Sequence, residues 1–455
     1  MADPWKGTKP PVYRIDLSLP PAERYVEVSR LYREKMRSLT GMFDELITGI
    51  SPRIPVNLVH FLARLFLRKL YTAEETAEIQ GISHETGIHL YLLICLNVVL
   101  DLLMGCTSGG VRCKKATGQT HMLHFRTLDW GMDPLRELIV QLEFIRGDEP
   151  QKVIATSITY VGFVGVLTGV KQDLSVSLNF RPVHDPSRNL SFYLNHLFVL
   201  LGLRQSISSL LRQCIMPASS KKPSFMSAIR QWCSGRSPSH ELKDPTLKDI
   251  IAQVPSLPTT AAYLIFCDGK TTVIMEKDHR DAFVRTSESF IVTTNHDQQP
   301  GSKPTEAVAE EKRQHAGLGL ISADIPSMTE LIEESSERLG CMQKRWDAKV
   351  QKEKSRRSWQ AELEQPEQPE QPEQIEPPGS TRSSLRLRKK KKEEAGKTKR
   401  QETSEDLGVS ITASEALKWL NKFPILNECT HYAALIMPSE GRIAWARWYS
   451  PEDVG

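Results

Sequence analysis

Along the first hundred residues the apolar positions recur at helical spacing. After a short extended stretch at residues 12–17, Pro20 and Pro21 open "ERYVEVSRLYREKMRSLTGMFDELI", whose pattern predicts a helix. A break at Pro52 and Pro55 precedes "VNLVHFLARLFLRKLY", where His60, Arg64 and Arg68 fall at i, i+4 spacing among Leu and Phe. That spacing predicts an amphipathic helix packed on a core, with a helix lying on a membrane surface as the sharper reading. Ser83 supplies a candidate N-cap for a further helix running toward Met104. The longest apolar run, residues 88–105, is interrupted by His89, Asn97 and Asp101, which suits a buried helix rather than a membrane span.

The spacing changes at Cys106. "THMLHFRTLDW", "ELIVQLEFIRG", "KVIATSITYVGFVGVLTG" and "LSVSLNFRP" read as strands separated by Gly, Asp and Pro. A helical stretch follows around "SFYLNHLFVLLGLRQSISSLLRQ". Strands return in "AAYLIFCDGKTTVIMEKD", with Asp268-Gly269 as its turn, and in "SFIVTTNHD". "MTELIEESSERLGCMQKRWDAKVQKEK" predicts a helix and "HYAALIMPSEGRIAWARW" a final hairpin. Helices, strands, helices and strands in that order predict a layered α+β domain. Residues 351–406, with "EQPEQPEQPEQIEPPGS" and then "RLRKKKKEEAGKTKRQE", cannot bury a core and predict a disordered insertion. The chain therefore divides into a helical region 1–105, a core 106–350, the insertion 351–406 and a C-terminal part of the core, 407–455.

Composition narrows this picture little. A net charge of +4 over 455 residues does not mark a polyanion binder. The basic run from Arg386 to Lys392 has no interleaved aromatics, so no nucleic-acid partner is expected. The eight cysteines are scattered, without a CxxC pair or a His cluster at zinc spacing, which argues against a metal site and a dense disulfide framework. The first residues carry no apolar h-region, so no secretory signal peptide is visible and the sequence reads as intracellular.

Chemistry gathers around Cys106. Arg126 closes the next predicted strand, Asp129 follows three residues on, and Asn179, Arg181 and Asn295 end two others. A cysteine that becomes a chain terminus carries its own base, because its α-amino group has a reference pKa of about 7.7–8.0. Such a residue can open an amide through a thioester. In that scheme Asp129 holds the amine, Arg126 lowers the thiol pKa and Asn295 donates to the oxyanion. Each residue also has a plainer reading: a packing cysteine, a structural ion pair, a turn asparagine.

An ordered set of motifs shifts those weights. "CTS" followed by "HFRTLD", then "YVGFVGVLTGVK", "SLNFR" and "TTNHD", with "PPVYRIDLSLPPAERY" ahead of them, resembles the acid ceramidase and N-acylethanolamine acid amidase family of N-terminal-nucleophile hydrolases. The resemblance implies a four-layer αββα sandwich with a helical N-terminal α-subunit region, cut by the protein itself between Gly105 and Cys106 into an α/β pair. Gly105 would supply the strained backbone for that cut. It implies a lipid-amide substrate, ceramide first and N-acylethanolamines second, met at a membrane surface if the helix after Pro55 lies on one. It implies no cofactor and no metal. It carries the site onto Cys106, Arg126, Asp129, Asn179, Arg181 and Asn295, with Lys312 or Arg313 for the family's later arginine. Phe180 stands where animal members carry glutamate, and the family's lysosomal setting contrasts with the missing signal peptide. A second reading is an uncut, inactive relative that binds partners through the basic loop.

Overall fold

In a computed structural model the described residues are 5–41, 44, 48, 55–99, 105–115, 117–182, 189–216, 244–299, 328–363 and 408–454. The helices at the N-terminus are shorter than their pattern suggested. Strand β1 (Val12–Asp16) leads through a 3-10 turn, Pro21–Glu23, to α1 (Val26–Leu31) and α2 (Arg33–Ser38). The predicted single helix is thus broken at Tyr32, which leaves helical geometry (φ −103°, ψ 8°). Its ring meets Tyr13 of β1 edge-on, with centroids 5.9 Å apart.

Helix α3 (Val56–Phe66) ends before Arg68 and buries only Ala63. Phe61 is 63% exposed, and Leu58, Leu62, Leu65 and Phe66 are exposed with it. The expectation that this helix faces the core is therefore corrected: its apolar stripe faces outward. Among the described residues, no helix is long and apolar enough to cross a membrane.

Helix α4 (Ala73–Thr86) is capped by Thr72, whose hydroxyl accepts from the Glu75 amide, and closes on Gly87 at φ 73°. Ser83 is thus inside α4 rather than an N-cap; its hydroxyl donates to the Ile88 carbonyl at 2.7 Å. Helix α5 (Leu90–Val99) follows.

From Gly105 to Phe180 the chain is mostly strand. In order come β2 (Gly105–Lys114), β3 (Thr120–Asp129), β4 (Ile139–Ile145), β5 (Ala155–Tyr160), β6 (Thr168–Lys171) and β7 (Leu174–Phe180). Helices α6 (Asn189–Leu200), α7 (Ile207–Ile215) and α8 (Leu247–Gln253) separate these from β8 (Ala262–Cys267), β9 (Thr272–Asp278), β10 (Asp281–Ser287) and β11 (Phe290–Thr293). The chain ends with α9 (Met328–Leu363), α10 (Ala413–Leu420), β12 (Thr430–Met437), β13 (Arg442–Trp448) and α11 (Pro451–Val454).

Two sheets result, one of eight strands in the order β1-β4-β5-β6-β7-β8-β9-β10 and one of five, β11-β2-β3-β12-β13. Among the strands of the described residues, β1 with β4 is the parallel pair and the other strand pairings are antiparallel. The sheets face each other through β2 against β7 and β8. Helix α7 covers β6 and β7 on one side, and α10 covers β2 and β3 on the other. This is an α+β sandwich with the layers αββα.

Strand alternation decides what lies between the sheets. On β7, Ser175, Ser177 and Asn179 face the smaller sheet, and both ring nitrogens of His124 on β3 meet Ser175 and Ser177 at 2.9 Å. Part of the buried inter-sheet layer is therefore polar and hydrogen-bonded.

The helical N-terminal region and both sheets fall in one compact unit, Met1–Arg345 with Ser410–Gly455; Trp346–Val409 forms a second. The expectation of disorder from residue 351 is corrected over its first part, because α9 continues to Leu363. The remainder, 364–406, lies outside the described residues.

Candidate active site around Cys106

The register of the smaller sheet assembles the site. On β2 and β3, Gly105 pairs with Asp129, Cys106 with Leu128 and Ser108 with Arg126. Paired residues share a face, so Cys106, Ser108 and Arg126 point toward the eight-stranded sheet while Asp129 points away from it. Strand β11 borders β2 on its other edge, ending with Thr293 opposite Ser108. Two residues further on, Asn295 lies beside Cys106, and its Oδ1 accepts from the Cys106 backbone nitrogen at 2.7 Å.

The scissile bond predicted from the sequence, Gly105–Cys106, thus lies in regular strand, with Arg126 on one face and Asp129 on the other. Gly105 is absent from the positive-φ glycines, which corrects the expectation of a strained backbone there. What it supplies is room. A Cβ at this position would approach the Asp129 Cβ to 3.3 Å.

Cys106 is wholly buried, with Sγ 3.9 Å from the Leu178 carbonyl. Burial pushes its thiol pKa up, against the opposing pull of the Arg126 and Arg338 charges. Arg126 therefore acts in the expected direction, but desolvation outweighs it and the thiol is protonated in the uncut chain. Arg126 is itself fully buried and remains charged. Its Nη1 donates to Asn179 Oδ1 and, at 3.1 Å, to the Ser108 hydroxyl; Ser108 donates in turn to Asn179 Oδ1 at 2.7 Å. Asp129 accepts from the Thr430 hydroxyl at 2.8 Å, and its Oδ2 lies 3.9 Å from Arg338 Nε. Burial raises its pKa, with Arg338 and Thr430 opposing.

The carboxamide of Asn295 is engaged at both ends. Nδ2 donates to the Phe180 carbonyl at 2.8 Å, while Oδ1 accepts from Cys106 N and, at 3.0 Å, from Arg338 Nη2. In this geometry Asn295 is an acceptor for the Cys106 nitrogen, not the oxyanion donor that the sequence suggested. Five of the six expected residues thus converge: Cys106, Arg126, Asp129, Asn179 and Asn295. Arg181 is bound elsewhere, with Nε and Nη2 on the Asp297 carboxylate at 2.7 and 2.6 Å. Lys312 and Arg313 lie outside the described residues.

Comparison with known proteins bears on what this cluster belongs to. A sequence model for the beta subunit of N-acylethanolamine-hydrolysing acid amidase matches residues 8–71. Over 186 residues the chain is 28% identical to the N-acylethanolamine-hydrolysing acid amidase of Caenorhabditis elegans, covering 38% of this chain and 48% of that protein. Over 189 residues it is 29% identical to human acid ceramidase, covering 38% of this chain and 45% of the relative. Over these regions the chain is similar to the acid ceramidases and the N-acylethanolamine-hydrolysing acid amidases. The matches span about half the length of those relatives. The region matched by the beta-subunit model lies inside residues 1–105, for which the sequence reading used the α name.

Beside this cluster, Arg338 is the residue that sequence reasoning missed. It lies on α9, buried, and touches both Asn295 and Asp129. One helical turn earlier, the Ser335 hydroxyl accepts from the Asn295 amide at 2.7 Å. The signal was present in the sequence: Ile332, Ser335, Arg338 and Met342 form one helical stripe, and all four are buried. A buried Ser and Arg on an otherwise apolar stripe mark polar partners on the facing element. Thr430 carried no such signal. It reaches Asp129 only because β12 pairs with β3 at that register.

Proposed function

We propose that this chain is a lipid-amide hydrolase whose nucleophile, Cys106, becomes an N-terminus by cleavage of the Gly105–Cys106 bond. The observation that carries the reading is the Cys106 backbone nitrogen held at 2.7 Å by Asn295 Oδ1, with Arg126 and Asp129 on opposite faces of the same strand pair. A nitrogen held by a fixed acceptor is already positioned to act as an α-amine once the peptide bond is gone.

In the first step the thiol adds to the Gly105 carbonyl. The acyl group moves from nitrogen to sulfur, the Cys106 α-amine is released, and water hydrolyses the thioester to leave the Gly105 carboxylate. In turnover the α-amine takes the thiol proton, sulfur adds to the lipid amide carbonyl, and the proton passes to the departing amine. Water then releases the fatty acid and restores the thiol. Nucleophile and base come from one residue, and the two fragments remain as an α/β pair. Ceramide is the first substrate and N-acylethanolamines the second, in line with the two activities named among the relatives. The outward apolar stripe of α3, with Phe61 and Phe66 beside Arg64, supports delivery of such a substrate from a lipid surface.

The complete burial of Cys106 favours one competing reading, an uncut binding protein. Denaturing gels together with a panel of ceramides and N-acylethanolamines at several pH values separate the two. The hydrolase reading expects fragments of residues 1–105 and 106–455, and fatty-acid release, with both lost in Cys106→Ala. A single intact band at acidic and neutral pH, with no fatty acid released, refutes it.

A further inference from the structure

Three consecutive residues at the end of β7 each bind the segment that carries Asn295. Asn179 Nδ2 donates to the carbonyls of Thr293 and Thr294 at 3.3 and 3.2 Å. The Phe180 carbonyl accepts from Asn295 Nδ2 at 2.8 Å. Arg181 grips the Asp297 carboxylate with two nitrogens and donates Nη1 to the Lys277 carbonyl at 3.2 Å. From the neighbouring strand β8 the Tyr263 hydroxyl also donates to Asp297, at 2.8 Å. Both members of the ion pair are largely shielded, Arg181 at 10% and Asp297 at 16% side-chain exposure. A bidentate Arg–carboxylate pair in that setting fixes direction as well as distance.

We propose that Arg181 and Asp297 are positioning residues: their ion pair clamps the end of β11 to the end of β7 and so holds Asn295 Oδ1 on the Cys106 nitrogen. Arg181 touches no reacting atom. It acts through Asp297, two residues from the acceptor. The clamp spans the two sheets, because β7 belongs to one and β11 to the other, and it adds a charged, bidentate link to the neutral bonds from Asn179, Phe180 and Tyr263 that cross between them. This inference rests on the nucleophile reading of Cys106.

The test uses the full chain with Arg181→Met, Arg181→Lys and Asp297→Asn. Asp297→Asn keeps an acceptor for Tyr263 and guards against simple misfolding, and thermal unfolding of each variant identifies the folded ones. Cleavage and lipid-amide turnover are then measured against pH. A misplaced acceptor predicts a kcat lower by about 10–100-fold in Arg181→Met, with KM little changed and part of the loss recovered in Arg181→Lys. It also predicts a shift along the pH axis. A hydrogen bond accepted from the α-ammonium favours the charged form, so loosening it lets the proton leave more easily and moves the acid limb of kcat/KM to lower pH. Folded variants with wild-type kcat, or with reduced kcat and an unmoved acid limb, overturn the clamp. A wild-type chain that neither cuts nor turns over overturns the nucleophile reading itself.

Discussion

Glu78 is the most exacting test of the energetics. It lies on α4 with a side chain fully shielded from solvent, between two guanidinium groups. Oε1 accepts from Arg24 at 2.9 Å and from Arg212 at 2.7 Å, and Oε2 accepts a second bond from Arg212. Arg212 is on α7, on the far side of Cys106 in the chain, and is 9% exposed; Arg24 is 4% exposed. Burial works against both charges, and their carboxylate partners outweigh it, so both stay protonated. Glu78→Gln keeps the volume and removes the charge. Arg24 retains Glu74, but Arg212 is left with the neighbouring Glu75, whose own pKa burial raises. Breaking a buried ion pair from one side costs about 3–5 kcal/mol, against about 0–1 kcal/mol for an exposed pair. The assay is urea unfolding in a Cys106→Ala background, in which the proposed cleavage cannot take place. The triple variant Arg24→Met, Glu78→Met, Arg212→Met leaves no unpaired charge among the three and is expected to lose less than Glu78→Gln alone. A Glu78→Gln loss under about 1 kcal/mol, or a triple variant that loses as much, refutes the reasoning.

Two further outcomes follow from the site and its surroundings. Gly105→Ala places a Cβ 3.3 Å from that of Asp129, so densitometry of denaturing gels should show slower conversion to fragments with overall stability little changed; cutting at the wild-type rate would remove the steric argument. His124 and His431 are buried, and desolvation first, with a nearby Arg second, lowers each from 6.5 to about 3. Their stabilisation is complete above 6.5 and is lost as pH falls toward 3, a loss on the order of 3 kcal/mol each by pH 4.5. His124→Gln and His431→Gln should therefore flatten the fall of unfolding temperature between pH 6.5 and 4.5, and an unchanged slope would exclude these histidines as its cause.

Much of the architecture was legible in the chain. The four segments that read as strands after Cys106 appear as β3 to β7, with "KVIATSITYVGFVGVLTG" divided into β5 and β6, the Asp268-Gly269 turn joins β8 to β9, and the last hairpin is β12 with β13. Local patterning reports such features because each strand's own alternation records which face is buried. Pattern was weaker where burial depends on neighbours. The apolar stripe of α3 looked like a core contact, yet nothing in its own residues says whether another element covers it. Arg181 and Arg126 were indistinguishable as strand-end arginines; one is committed to Asp297 and the other lies in the Cys106 cluster.

By itself the sequence determined the chemistry on offer: a cysteine after a glycine where helical spacing gives way to strands, followed by the Arg, Asp and Asn that a thioester route requires. Tertiary structure decided which groups meet. Register set Asp129 opposite Gly105 and Thr430 opposite Asp129, and strand parity sent Arg126 to one face and Asp129 to the other. The stacking of two sheets and a helix from residue 328 onward brought Asn179 and Arg338 to residues far from them in the chain. Those contacts join positions scores of residues apart, and spacing along one chain does not encode them. They follow from register and burial, which exist only once the sheets have formed.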